Sequence, residues 1–258
     1  MTDLADALEA MAASPDDDAL RLRFYARLAD SEVHLLLDGE AEAGRVAPRS
    51  IEHDGHPFVL AFTSEERLAE FAAKTVDHAT LSGRALVQML VASEAGLTLD
   101  LGISPAGTML PPEAISWLAG TLLHRPAEVS ERPAEVRPPR DVPDTLREGL
   151  AARLAAAGGL AREAWLAEAL YEGGRKGWLL LFVDAPDERR RALAHAVGEA
   201  LTFSGLEAGV VDVTFAKGDD PLVARLARVA MLIDLPKAAP AAAPAAPGRD
   251  PDRPPRVR

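Results

Sequence analysis

Residues 57–71 read Pro57-Phe-Val-Leu-Ala-Phe-Thr-Ser-Glu-Glu-Arg-Leu-Ala-Glu-Phe71. Two periodicities meet in this stretch. Phe58 to Phe62 is an unbroken apolar run, and Phe58, Leu60 and Phe62 share one face by the two-residue alternation of a strand. Thr63-Ser-Glu-Glu66 then has the form of a capping box, in which a hydroxyl and a carboxylate three residues apart answer the free N–H groups of a helix start. Leu68 and Phe71 place an apolar pair on the helix that follows. A buried strand running straight into a capped helix is the unit from which α/β folds are built, so this stretch decides the class.

The same reading extends outward. Toward the N-terminus, Leu4, Leu8 and Met11 share a face of a helix over Asp3 to Met11. Ser14-Pro15-Asp16 reads as the start of a second helix, with Ser14 as cap and Pro15 in the first turn. Leu20, Phe24 and Leu28 recur along it at spacing four. Val33 to Leu37 is a strand. Toward the C-terminus follow a helix over Gly83 to Ser93 capped by Ser82, a strand over Leu97 to Leu101, and a helix over Pro111 to Leu123.

Beyond Leu123 the composition shifts. Residues 124–143 hold Pro126, Pro133, Pro138, Pro139 and Pro143 among alternating charges. Proline fixes φ and lacks an N–H, so this piece is expected to be an extended linker without regular structure. Residues 144–235 form a second compact region. Its order is helix, strand, strand, helix, strand, helix, strand, and Trp178-Leu-Leu-Leu-Phe-Val183 is its strongest strand. Asp184 to Asp187 reads as a cap for the long helix to Phe203, and Asp219-Asp220-Pro221 as the cap of a short one. The pattern suits a small mixed sheet with helices on one face. From Pro236 the chain is Ala/Pro-rich with little to bury, and a disordered tail over 236–258 is expected. The fold class is therefore α/β, of the mixed α+β kind. Its two small domains span 1–123 and 144–235.

Composition narrows the chemistry. Apolar residues make up 48% and charged residues 26% of 258 residues, which suits a soluble protein with a sizeable core. Aromatics are only 5%, so Leu, Val and Ala must fill that core. The absence of cysteine removes disulfides, thiol nucleophiles and thiolate metal sites. No run approaches the ~18 apolar residues of a membrane span. Met1-Thr-Asp-Leu-Ala-Asp6 has no apolar core region and does not read as a secretory signal, so a cytoplasmic location is expected. Residues 1–123 carry 8 basic and 20 acidic side chains, which makes nucleic acid an unfavourable partner for that half.

Further motifs carry a resemblance. The chain resembles the SseB family, named for enhanced serine sensitivity, which has N-terminal and C-terminal family domains. The residues are Ser31-Glu-Val-His-Leu-Leu-Leu37, Phe58-Val-Leu-Ala-Phe-Thr-Ser-Glu-Glu-Arg-Leu68, Leu81-Ser-Gly83, Gly96-Leu-Thr-Leu-Asp-Leu-Gly102 and Leu110-Pro-Pro-Glu113. In the second region they are Trp178-Leu-Leu-Leu-Phe182, Phe203-Ser-Gly-Leu-Glu-Ala-Gly209 and Val211-Asp-Val-Thr-Phe215. Similar proteins tend to carry Asn where this chain has Asp100. The resemblance implies a bacterial cytosolic protein and brings no catalytic residues with it.

Three groups of residues could carry chemistry or recognition. His53-Asp-Gly-His56 offers two imidazoles three residues apart with Asp54 as a third ligand, but Asp54-Gly55 is also a turn signal. Asp100 lies within the expected strand over Leu97 to Leu101. Arg189, Arg190 and Arg191 lie in the first turn of a helix, where positive charge opposes the helix dipole. They suit an anion or an acidic partner, or a solvated face balanced by Asp187 and Glu188. Asp16-Asp-Asp18, Asp184…Asp187 and Asp219-Asp220 are carboxylate groups that could bind a cation, but each sits at an expected helix start, where capping alone explains it. Ser64 and Ser204 lie in no Gly-x-Ser-x-Gly motif. Gly173-Gly-Arg-Lys-Gly177 lacks the Ser/Thr of a phosphate loop and reads as a hairpin turn. No cofactor is expected. The leading expectation is a non-catalytic interaction or regulatory protein with a protein partner, homo-oligomers included. The alternative is an enzyme or small-ligand binder with its site between the two domains.

Overall fold

All five residues from Phe58 to Phe62 are buried, because their strand is covered on both faces. Val59 and Ala61 enter a large helix-covered core, whereas Leu60 and Phe62 meet Leu36 and Leu68 in a smaller one. A continuous apolar run, rather than clean alternation, is what a doubly covered strand requires. The computed structural model describes residues 3–39, 47–73, 76–123, 133–155, 159–172, 174–206 and 210–235. The expected tail from 236 lies outside them.

The N-terminal half begins with α1 (Leu4–Ala13), α2 (Asp18–Asp30), β1 (Glu32–Leu36), β2 (Ser50–His53), β3 (His56–Phe62) and α3 (Glu65–Ala72). It continues through β4 (His78–Ser82), α4 (Gly83–Ala92), β5 (Gly96–Leu99), β6 (Thr108–Leu110) and α5 (Pro112–Leu123). The sheet order is β4-β1-β3-β5-β6, with β2 extending the line of β1 along β3. Only β3 and β5 run parallel; the other pairs are antiparallel. Helices α1, α2, α4 and α5 cover one face, and α3 contributes Leu68 to the other. Gly83 opens α4 where a Cβ would stand 1.6 Å from the Leu28 carbonyl oxygen, so only glycine lets α4 start this close to α2.

The C-terminal half contains β7 (Glu135–Arg137), α6 (Asp144–Ala155), β8 (Glu163–Leu170), β9 (Lys176–Val183), α7 (Asp187–Phe203), β10 (Val211–Ala216), α8 (Pro221–Leu226) and β11 (Met231–Ile233). The sheet order is β10-β9-β8-β11, and β9 and β10 are parallel. The architecture is thus mixed α/β, with a predominantly antiparallel sheet in each half.

Several sequence expectations change. Residues 133–143 are not free of regular structure. β11 pairs only with Ala164–Leu166 of the eight-residue β8, and β7 supplies partners for the remaining Glu168–Leu170 backbone. Helices cover both faces of the second sheet, not one. α6 and α7 pack on Leu166, Leu180 and Phe182, and α8 packs on Leu179, Leu181 and Val183. Trp178–Val183 lies inside the sheet, paired on both edges by β8 and β10. Asp17, not Ser14, caps α2 by accepting from the N–H groups of Ala19 and Leu20. Ser14 instead ends α1. Ser64, not Thr63, caps α3, accepting from Arg67 N at 3.3 Å.

Candidate functional site

β3 and β5 are parallel neighbours, and the residues that follow them, Thr63 and Asp100, meet where both strands end. This is where open α/β sheets commonly place ligands. Asp100 is fully buried and has φ 53°, a left-handed conformation that Asp tolerates better than most side chains. Its Oδ1 accepts from Thr63 N at 2.9 Å, and its Oδ2 accepts from Thr63 Oγ1 at 2.7 Å and from Arg67 Nη1 at 2.5 Å. Arg67 also reaches Glu9 of α1 at 3.4 Å. Burial alone would lower the Arg67 guanidinium, but its bonds to Asp100 and Glu9 more than reverse this. The carboxylate thus ties two strand ends to a helix start.

The second half repeats the device. Asp184 follows β9 with φ 54°, and its N–H donates to Ala216 of the parallel neighbour β10, as Asp100 N donates to Ala61 of β3. Its carboxylate accepts from Gly218 N at 2.9 Å and pairs with Arg162 at 2.7 Å. Asp184 therefore does not cap α7, whose N-cap is Pro186.

His53 and His56 face each other across the β2–β3 hairpin. Asp54 and Gly55 supply the two positive φ values, 49° and 80°, that a tight two-residue turn needs. All four residues are exposed, and His53 Nε2 lies 3.5 Å from Asp54. Among the described residues, no three His, Cys, Asp or Glu side chains gather as a metal set.

Arg189 and Arg191 are exposed on the first turn of α7. Arg190 pairs with Asp187 at 2.9 Å and lies over the Phe215 ring. Arg191 lines a shallow cleft with Leu122 and Leu123 of α5. Among the described residues, no hydrogen bond or ion pair joins the histidine hairpin, Asp100 and the arginine turn to one another.

A charge cluster that sequence reasoning missed joins the halves. Glu199 of α7 is 2% exposed. Its oxygens accept from Arg84 of α4 at 2.6 and 2.7 Å, a two-pronged pairing that matches the planar guanidinium. The bond to Glu199 raises the Arg84 guanidinium further. Arg153 of α6 approaches Glu199 at 3.4 Å and pairs with Asp30 of α2. His195 lies one turn before Glu199, at 3.1 Å. Asp30 also reaches Arg84 at 3.3 Å. Phe203 packs against the N-terminal core beneath this cluster, and the Arg153 guanidinium lies 5.0 Å from its ring centre. The sequence signal was present: Glu199 interrupts the apolar run Ala196-Val-Gly-Glu-Ala-Leu201, and His195 stands at helical spacing from it.

Two cavities flank the cluster and share the lining residues Arg27, Asp30, Ala152 and Arg153. One, of about 260 Å³, lies between α2, α6 and α7. The other, of about 760 Å³, also touches Arg84, His195 and Glu199.

Residues 4–117 match the family model of the SseB protein N-terminal domain. This stretch is an SseB-type N-terminal domain. The match holds every residue of the Thr63–Arg67–Asp100 tie, together with Asp30 and Arg84. Arg153, His195 and Glu199 lie beyond it, so the charge cluster joins the SseB domain to the rest of the chain. Neither a search of curated proteins nor one of solved structures finds a match. No described helix is long and apolar enough to cross a membrane.

Proposed function

We propose that this protein is an SseB-family, non-catalytic interaction or regulatory module of the bacterial cytoplasm. Residues 144–235 act in it as the family's C-terminal domain, and its target is another protein. One observation carries the reading. The buried carboxylates among the described residues are Asp100, Glu199 and Asp212, and each is paired with an arginine inside the fold. Arg175 closes Asp212 at 2.7 Å, as Arg67 and Arg84 close the other two. A catalytic acid or base must face its substrate; these groups face guanidinium partners and tie elements together.

Large apolar side chains are meanwhile left on the outside of α5. Trp117 is 43% exposed and Leu123 is 67% exposed. Tryptophan is the side chain most enriched at binding hot spots, and Trp117 is held by Tyr25 at 5.3 Å between ring centres. The test is comparative capture from bacterial lysate with wild type and with the double variant Trp117→Ala, Leu123→Ala. A specific protein should be retained by wild type and lost by the variant. Identical capture profiles would sink the reading.

A further inference from the structure

The cleft between α2, α6 and α7 contains polar groups that the fold leaves unanswered. Arg27 is half-buried on α2 and lines the 260 Å³ cavity, but it makes no hydrogen bond or ion pair among the described residues. Its natural helical partner is Asp30, three residues on. That carboxylate is already taken by Arg84 and Arg153. Arg153 lines the same cavity and is 9% exposed, and its Nη2 is shut off from solvent without an acceptor among the described residues. Such a buried donor is costly away from water, and Arg27 adds a half-buried guanidinium to the same wall. The rest of the wall is mostly apolar, formed by Leu20, Ala26, Ala152, Ala200 and Phe203.

We propose that this cavity binds a small carboxylate with an apolar body. Its anionic end pairs with Arg27, and its apolar end lies against Leu20, Ala26 and Phe203. Asp30 and Glu148 share the lining, so a single negative charge fits better than a doubly charged phosphate. The volume falls just under the ~300–1,000 Å³ typical of ligand sites, which selects one ring or a short chain. The ligand would touch helices of both halves, so its binding would favour their docked arrangement. This goes beyond the interaction role by giving a regulatory module an input, and it does not involve Trp117 or Leu123.

The experiment is calorimetry and thermal melting of the full chain with benzoate, 3-phenylpropionate, indole-3-acetate and hexanoate, each beside its neutral amide. At least one acid should bind at millimolar concentration or below and raise the melting temperature. Its amide should bind about tenfold more weakly or worse. Arg27→Gln, which breaks no internal bond, should weaken the acid by a similar factor. Ala152→Leu, which fills the cavity, should abolish binding; if that variant does not fold, Arg27→Gln decides alone. The proposal is overturned if no acid binds, if acid and amide bind alike, or if Arg27→Gln leaves affinity unchanged.

Discussion

Asp100 accepts hydrogen bonds from both the backbone N–H and the hydroxyl of Thr63, 37 residues earlier, at 2.9 and 2.7 Å. This contact reassigns the motif that fixes the fold class. Thr63 would have been the capping residue of α3 by pattern, but it is claimed by a carboxylate from the neighbouring parallel strand. The cap passes to Ser64.

The Asp100 tie has a graded consequence. Asparagine keeps an acceptor oxygen for Thr63 and tolerates the left-handed backbone, but it loses the charge opposite Arg67. Asp100→Asn is expected to cost about 1–2 kcal/mol in urea unfolding. Asp100→Ala leaves the Thr63 donors without their acceptor and strains φ, at about 3–4 kcal/mol. Equal losses in the two variants would show that the hydrogen bonds to Thr63 contribute little.

Glu199 holds the halves together through Arg84 and Arg153. Removing one partner of a buried pair strands the other charges, typically at about 3–5 kcal/mol. Arg84 is 40% exposed, so screening reduces the expected loss for Glu199→Gln to about 2–3 kcal/mol. Calorimetric melting of wild type and variant provides the check. The SseB domain and the remainder should also unfold less cooperatively in the variant, because their charged tie is gone. An unchanged melt would mean that apolar contacts such as Phe203 do the joining.

Alkaline stability follows from Tyr171. Burial pushes its phenol well above the ordinary value of 10.0; the Asp212 carboxylate adds to the rise, and Arg175 opposes it. The folded protein therefore keeps this proton to higher pH than the unfolded chain does. The resulting stabilisation is complete below pH 10.0 and is lost as pH rises toward the folded value. Wild type should lose stability above pH 10.0 more steeply than Tyr171→Phe. Tyr25 is also raised by burial, so part of the slope should remain. Denaturant midpoints across the alkaline range measure this, and parallel slopes for the two proteins would refute it.

Most of the fold was legible in the chain. The β3–α3 unit follows from apolar period and capping residues, and so does most of the order after residue 144; β8 follows instead from the partner that a hairpin onto Trp178–Val183 requires, since its own composition suits a helix equally. What escaped was short or lacked a local signal. β6 and β7 have three residues each, and their strand character comes from the backbone partners offered by β5 and β8. Of the candidate residues, His53, Asp54 and His56 are placed by a turn the sequence announces. The role of Asp100 depends on which strand lies beside its own, which no local pattern states.

The sequence by itself determined a mixed α/β chain with SseB-type motifs around Phe58–Leu68, because periodicity and capping are local properties. Tertiary structure decided the rest. It set Thr63 against Asp100, brought Arg84 and Asp30 to Glu199 and Arg153, and left Arg27 facing a cavity without a partner among the described residues. Buried charge must be answered wherever the fold places it. Partners chosen in that way lie as far apart along the chain as the topology brings them together in space.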